Sequence, residues 1–170
     1  MKVAILSDTH GQLNDQLLAR MHGVQHIVHA GDVGSTRVLE ALRATTDRVL
    51  AVRGNNDVES KWQGALNALE ALPEEAMLSL PGGVLQVVHG HRTRSARRRH
   101  EELRERFPDA RMIVYGHSHR LCLDTARLPW VVNPGAAGRA RTFGGASMLM
   151  LHVGDGAWRI EVVKSMLGTG

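Results

Sequence analysis

The chain contains 170 residues, of which 43% are hydrophobic and 22% are charged. This composition is typical of a globular protein and excludes collagen-like, coiled-coil and intrinsically disordered chains, while the length predicts one domain over residues 1–170. The single cysteine, Cys122, excludes an internal disulfide framework and a zinc site made only of cysteines. The net charge of +4 is too small an excess to indicate nucleic acid as a partner.

The N-terminus carries a short apolar run over residues 3–6. This run is too short for the apolar core of a signal peptide, and no later run approaches the ~18 residues that a membrane-spanning helix requires. We therefore expect a cytoplasmic protein without a membrane partner. The sequence leaves a homo-oligomer open.

The first half of the chain alternates between strands and helices. Apolar runs at 3–6, 26–30 and 48–52 predict strands that end in polar loops. Helices are predicted from residue 14 or 15 to about 22, and from 35 or 36 to about 44. Strand, polar loop and helix in repetition predict parallel strands joined by right-handed crossovers.

The second half is richer in strands. A Pro-Gly-Gly turn at 81–83 between two apolar runs predicts a hairpin, and a charged helix over 94–107 and a strand at 112–115 follow. Short strands are predicted near 121–126, 130–133, 146–153 and 157–163. Consecutive short strands indicate antiparallel pairing at an edge or in a second sheet, so we expect an α/β domain with two sheets.

Polar side chains that can bind metals follow the apolar strands within a few residues. In open α/β sheets, sites lie outside the carboxyl ends of the strands, so these side chains are expected to converge on one rim. The set comprises two carboxylates, one amide oxygen and four imidazoles, namely Asp8, His10, Asp32, Asn55, His89, His117 and His119. Such donors suit Mn²⁺, Fe²⁺, Co²⁺, Ni²⁺ or Zn²⁺, with Mn²⁺ favoured, and seven ligands predict two ions bridged by a carboxylate.

The order and spacing of these residues resemble the calcineurin-like metallophosphoesterases, and most closely the small single-domain bacterial and archaeal phosphodiesterases. The motifs that carry the resemblance are Asp8-x-His10, Gly31-Asp32, Gly54-Asn55-Asn56-Asp57, His89-Gly90-His91 and Gly116-His117-x-His119. Each motif is common alone, whereas all five in order at strand ends are specific. The resemblance implies a four-layer α-β-β-α sandwich of two mixed sheets.

The resemblance also implies how the ligands are shared. Asp8, His10, Asp32 and His119 would hold the first metal, and Asp32, Asn55, His89 and His117 the second, with Asp32 bridging. The two ions would generate a bridging hydroxide that attacks the phosphorus of a small phosphate ester in line, a phosphodiester in preference to a monoester. The histidine ligands need acceptors for their other ring N–H, and Asp57 and backbone carbonyls are candidates.

One motif departs from the family pattern. Many larger relatives carry Gly-Asn-His-Asp, whose histidine is thought to protonate the leaving group. Asn56 occupies that catalytic position here, and an amide cannot supply a proton near neutral pH. His91 is the candidate for an alternative proton donor. Arg92 and Arg139, the latter close to Arg141, are candidates for binding the substrate phosphate.

Two alternative functions remain open at this stage. The first is a non-catalytic metal-binding scaffold or interaction module of the same fold, for which the retromer scaffold subunit is a precedent. The second is a nuclease that uses the arginine-rich helix. A compact chain offers little surface for the nuclease, and a complete ligand set argues against the scaffold.

Overall fold

The computed structural model describes residues 1–139, 141–154 and 156–166. These residues form ten strands and four helices. Strands and helices alternate in the first half of the chain, and strands dominate the second half. The elements are β1 (Lys2–Leu6), α1 (Asp15–Ala19), β2 (His26–His29), α2 (Thr36–Thr45), β3 (Val49–Ala51), α3 (Leu66–Glu70), β4 (Glu75–Leu80), β5 (Gly83–Val88), α4 (Arg99–Arg106), β6 (Met112–Val114), β7 (Cys122–Asp124), β8 (Trp130–Asn133), β9 (Ser147–Gly154) and β10 (Ala157–Lys164).

The strands form two five-stranded sheets. The first has the order β10-β9-β1-β2-β3, in which β1, β2 and β3 are parallel while β9 and β10 pair antiparallel. The second has the order β4-β5-β6-β8-β7, with a parallel centre of β5, β6 and β8 and an antiparallel strand at each edge. Both sheets are therefore mixed, as predicted.

Successive side chains along the strands point to opposite faces of each sheet, and both faces are covered, which produces four layers. In β1, Val3 and Ile5 belong to the apolar cluster between the two sheets, whereas Leu6 joins a cluster on the outer face that contains residues of α1, α2 and α3. On the far side of the second sheet, Leu103 of α4 packs with Ile113 of β6. Helices thus cover both outer faces, which confirms the predicted α-β-β-α sandwich.

Two predicted helix bounds were wrong, and a third, short helix had no predicted bounds. Helix α1 ends at Ala19 rather than near residue 22, and α3 was not predicted because a five-residue helix without a side-chain N-cap leaves little signal. Helix α4 begins at Arg99 rather than at residue 94. The Arg94 N–H donates to the Glu102 side chain at 2.8 Å, so the segment before α4 folds back on the helix instead of extending it.

The carboxyl ends of the central strands of both sheets meet at one rim. The His117 N–H at the end of β6 donates to the Asp8 carboxylate after β1, with an N···Oδ2 distance of 3.0 Å. The Gly116 N–H donates to the carbonyl of His89 after β5 at 3.1 Å. The first hydrogen bond joins a loop of the second sheet to a loop of the first, and the other joins two loops of the second sheet at the same rim.

Candidate metal centre

The loops turn sharply at the candidate ligands themselves. Five of the seven adopt a left-handed backbone with φ between 47° and 66°, namely Asp8, His10, Asp32, His117 and His119. A residue other than glycine in this region costs of order 1–3 kcal/mol, and such strain persists where the surroundings hold it, commonly at functional sites. The backbone strain is thus concentrated at the residues whose side chains are the candidate ligands.

Two motif glycines make room for the ligands. A Cβ on Gly31 would lie 2.6 Å from Nδ1 of His89, and a Cβ on Gly54 would overlap the Asp32 carboxylate. The glycines therefore let the loops after β2 and β3 approach closely enough for Asp32 to reach its neighbours.

The first group of ligands is compact. One ligand atom from each of Asp8, His10, Asp32 and His119 lies within 4.8 Å of the others. His10 Nε2 is 3.1 Å from His119 Nε2, and His119 Nε2 is 3.3 Å from Asp8 Oδ1. Two imidazole nitrogens and two carboxylates facing one point form a donor set that fits a divalent transition-metal ion.

The second group converges on an amide oxygen. Asn55 Oδ1 lies 2.9 Å from His117 Nδ1 and 3.1 Å from His89 Nε2. Asp32 Oδ2 lies 3.4 Å from His89 Nε2 and 3.7 Å from His10 Nε2, so the same carboxylate oxygen touches both groups. All seven candidate ligands therefore come together at one rim.

Backbone carbonyls orient two of the rings. His89 Nδ1 lies 2.8 Å from the carbonyl of Ala30, and His119 Nδ1 lies 3.3 Å from the carbonyl of Arg141. Donation of the Nδ1–H to each carbonyl leaves Nε2 free as a metal ligand. Asp57, the other candidate acceptor, accepts backbone N–H groups instead.

Asp57 joins the loops after β2 and β3. Its buried carboxylate accepts the N–H groups of Val33 at 3.1 Å, Gly34 at 2.8 Å and Gly54 at 2.8 Å. Burial raises the pKa of the Asp57 carboxyl, and these three hydrogen bonds oppose that shift. Asp57 therefore holds the loops that present Asp32 and Asn55.

The electrostatics keep Asp32 ionised and act in opposite directions on the imidazoles around it. Burial raises the pKa of Asp32, but hydrogen bonds from His89 and Asn56 outweigh it and hold this pKa well below its usual range. Burial lowers the pKa of His10 and of His117. Burial also opposes protonation of His89, but the hydrogen bond with Asp32 and the negative charge of that carboxylate outweigh it and raise the pKa of His89. An anionic carboxylate and neutral imidazoles are the states that bind metal.

Asn56 contacts Asp32 through both of its donors. Its backbone N–H donates to Oδ1 and its side-chain Nδ2 donates to Oδ2, each at 2.8 Å. Its Oδ1 accepts a hydrogen bond from Lys61 Nζ at 2.6 Å, a contact that the sequence did not indicate because the two residues share no motif. Asn56 thus orients a candidate ligand.

His91 lies between two cavities beside the ligands. One, of about 1060 Å³, is also lined by Asn55, and the other, of about 240 Å³, by His89 and Arg92. The His91 ring centroid is 5.5 Å from that of His89. Its Nδ1 is buried and has no hydrogen-bond partner among the described residues.

The two arginines named as candidates pair with surface carboxylates. Arg92 lies 2.9 Å from Glu74, and Arg139 lies 3.4 Å from Asp15. Arg141, which the sequence places next to Arg139, instead has its Nη2 3.4 Å from His10 Nε2. Among these three arginines, Arg141 is therefore the one in contact with a candidate ligand.

Comparison with known proteins identifies the family. The model of the calcineurin-like phosphoesterase superfamily domain matches residues 1–156, so the chain belongs to this superfamily. The phosphodiesterase MJ0936 of Methanocaldococcus jannaschii is 25% identical over 146 residues, which span 79% of this chain and 83% of that protein.

Solved structures share the fold. Wild-type Vps29 of Entamoeba histolytica, crystallised in complex with Zn²⁺, superposes with a TM-score of 0.73 at 18% identity, covering 96% of this chain and 99% of that one. The structure of an archaeal phosphodiesterase gives a TM-score of 0.69 at 23% identity, covering 96% of this chain and 100% of that one. No helix in the described ranges is long and apolar enough to cross a bilayer.

Proposed function

We propose that this phosphoesterase is a phosphodiesterase that works with two divalent metal ions, Mn²⁺ being the first choice, held by the seven candidate ligands. The observation that carries the proposal is the position of Asp32 Oδ2, which lies 3.7 Å from His10 Nε2 and 3.4 Å from His89 Nε2. An anionic carboxylate in contact with both ligand groups is suited to bridge two cations. The similarity to a phosphodiesterase supports the substrate class.

Two such ions, when bound, supply a nucleophile at neutral pH and stabilise negative charge on the phosphate oxygens. The protein's own residues prepare the site for them. Asn56 orients Asp32 through two hydrogen bonds, and the carbonyl of Ala30 orients His89. The guanidinium of Arg141 would bind a phosphate oxygen of the substrate, which its contact with His10 supports.

The leaving group distinguishes diesters from monoesters. Asn56 cannot protonate the departing oxygen, and a positioned acid typically contributes ~10²–10⁴-fold for a poor leaving group. Aryl diesters, whose leaving groups tolerate negative charge, should therefore react faster than alkyl monoesters. His91, which lines both cavities beside the ligands, is the candidate for a proton donor.

A metal add-back experiment tests the function. The chelated protein is supplied with Mn²⁺, Ni²⁺, Zn²⁺ or Mg²⁺ and assayed on a panel of phosphomonoesters and phosphodiesters, while calorimetry counts the ions bound. We expect two bound ions and metal-dependent hydrolysis of aryl diesters. Metal binding without hydrolysis of any ester would favour the scaffold, and a preference for monoesters would reject the diesterase assignment.

A leaving-group series then assigns the proton donor. The measurement is kcat/KM for aryl diesters of increasing leaving-group pKa in the parent, Asn56→His and His91→Ala. A steep dependence in the parent that becomes shallow in Asn56→His supports a site without an acid. A shallow dependence in the parent that steepens only in His91→Ala would assign the acid to His91.

A further inference from the structure

The aromatic ring of Phe143 is exposed in the segment next to the candidate metal centre. The chain has three tryptophans, one tyrosine and two phenylalanines. Phe143 is the exposed member of this set, with 59% of its surface accessible, whereas the other five rings are buried or half-buried. A single exposed apolar residue is ordinary in itself, and what distinguishes Phe143 is its position.

Phe143 is connected to the site from two directions. Arg120 directly follows the candidate ligand His119, and its guanidinium carbon lies 4.8 Å from the centroid of the Phe143 ring. Arg141, two residues before Phe143, accepts a hydrogen bond from His119 at its carbonyl and contacts His10 with its side chain. One residue, Thr142, separates Arg141 from Phe143, so their Cα atoms are at most ~7 Å apart.

The backbone favours this placement. Arg141 has φ 53°, in the left-handed region that residues other than glycine seldom adopt. The contacts of its carbonyl with His119 and of its side chain with His10 are what hold it there. The same contacts fix the start of the segment that carries Phe143, so the ring is presented at the rim of the site.

The other arginine–aromatic pairs lack this arrangement. Arg99 lies 5.4 Å from the centroid of Tyr115, but that ring is 4% exposed. Arg106 lies 5.0 Å from the centroid of Phe107, which packs against the apolar cluster under α4. Arg111 lies 4.9 Å from the centroid of Trp158, which is also buried. Among the described residues, only the Phe143 ring combines a stacked guanidinium with a surface that a ligand can cover.

We propose that Phe143 and Arg120 form a ring-binding subsite for the substrate, and this rests on the proposed phosphodiesterase function. The subsite takes a planar aromatic group joined to the phosphate, either a nucleobase or an aryl ester, and stacks it on Phe143. Arg120, stacked on the ring, and Arg141, beside His10, supply positive charge that suits an anionic ester. Stacking on one aromatic side chain should strengthen binding of the ring by about 5-fold or more.

Ligand pairs that differ only by the ring test the proposal. Calorimetry on the Mn²⁺-loaded protein compares phenylphosphonate with methylphosphonate, and adenosine 5′-monophosphate with ribose 5-phosphate. The proteins are the parent, Phe143→Leu, Phe143→Ala and, as a matched control, Met77→Ala, whose exposed side chain lies on β4. Phe143→Leu keeps an apolar side chain without the ring and separates stacking from apolar contact.

We expect both Phe143 variants to reduce the affinity of at least one ring-bearing ligand about 5-fold, while the ring-free partners change less than 2-fold. Whether the phenyl ligand, the nucleotide or both lose affinity identifies the ring. Ring-current shifts of the Phe143 protons on adding adenosine 5′-monophosphate provide a readout independent of turnover. Equal binding of ring-bearing and ring-free ligands by the parent, or an undiminished ring preference in both variants, would overturn the subsite.

The subsite and the proposed function can fail separately. Hydrolysis of diesters without any ring preference rejects the subsite alone. A Phe143-dependent ring preference in a protein that hydrolyses no diester rejects the proposed function and leaves the subsite in place.

Discussion

The two sheets contribute different chemistry to the same rim. The loops of the first sheet, after β1, β2 and β3, carry both carboxylates, the amide oxygen and one imidazole of the candidate ligands, Asp8, His10, Asp32 and Asn55. The loops of the second sheet, after β5 and β6, carry imidazoles alone, His89, His117 and His119. The centre therefore depends on packing between sheets, because neither sheet alone supplies the full set.

The two sets of loops are also held differently. The loops of the first sheet are hydrogen-bonded to one another. The Asp8 N–H donates to the backbone carbonyl of Gly31, the His10 N–H donates to the backbone carbonyl of Asp32, and the Asp57 carboxylate accepts three further N–H groups. The loops of the second sheet make hydrogen bonds to the first sheet. The His117 N–H donates to the Asp8 carboxylate, and His89 Nδ1 contacts the backbone carbonyl of Ala30. The first sheet thus acts as the framework on which the second places its imidazoles.

The largest effect is expected when a ligand of each sheet is removed in turn. Asp32→Ala should lose both metal ions, because Asp32 Oδ2 contacts both groups, whereas His117→Ala should lose one. Activity of Asp32→Ala should fall by more than the ~10²–10³-fold that follows the loss of one oriented donor. Elemental analysis after dialysis counts the ions, and Asp47→Ala, an exposed aspartate, is the control. Full metal content in Asp32→Ala would contradict the bridging role.

The second-largest effect is expected when the Asp57 carboxylate, which joins loops of the first sheet, is removed. Asp57→Ala leaves three backbone N–H groups without their acceptor, and we expect the free energy of unfolding to fall by about 3 kcal/mol. Urea denaturation of the metal-free protein measures this, with the exposed Asp109→Ala as the control. A loss below about 1 kcal/mol would show that the loops hold without Asp57.

A buried histidine under the first-sheet loops should make stability depend on pH. His29 Nε2 lies 2.9 Å from Thr9 Oγ1, its Nδ1 has no partner among the described residues, and burial lowers its pKa to about 4. The unfolded chain takes up a proton near pH 6.5 while the folded protein does not, so stability falls as the pH falls from 6.5 towards 4.

The matched variants isolate this contribution. Between pH 7 and pH 5, His29 should account for about 2 kcal/mol of lost stability, at 1.36 kcal/mol per pH unit below 6.5. His29→Gln keeps a donor for Thr9 and should flatten the pH dependence by this amount, whereas the exposed His22→Gln should leave the curve parallel to that of the parent. Unfolding curves at several pH values provide the measurement, and parallel curves for all three proteins would contradict the prediction.

The sequence predicted the strand ends and the residues that follow them, because apolar runs that stop at Asp, Asn or His are local signals. It did not predict α3, whose five residues lack a capping side chain. It also could not show that the carbonyl of Arg141 accepts from His119, since a backbone group has no residue-type signature. Contacts across the fold, such as Lys61 with Asn56, depend on how loops meet and not on spacing along the chain.

The smallest effect separates Arg139, the candidate that the sequence favoured, from Arg141 two residues further along the chain. Arg139 pairs with the exposed Asp15, whereas the guanidinium of Arg141 lies beside His10. A charge-assisted hydrogen bond to a phosphate oxygen is worth about 1.5–3 kcal/mol, so Arg141→Gln should raise KM roughly 10-fold and change kcat less. Arg139→Gln should leave both within about 2-fold of the parent. Glutamine at position 141 keeps the backbone carbonyl that accepts from His119 and has the same backbone strain at φ 53°. The comparison therefore isolates the effect of the guanidinium. A larger rise in KM for Arg139→Gln than for Arg141→Gln would return the phosphate contact to Arg139, and with it the assignment that the sequence favoured.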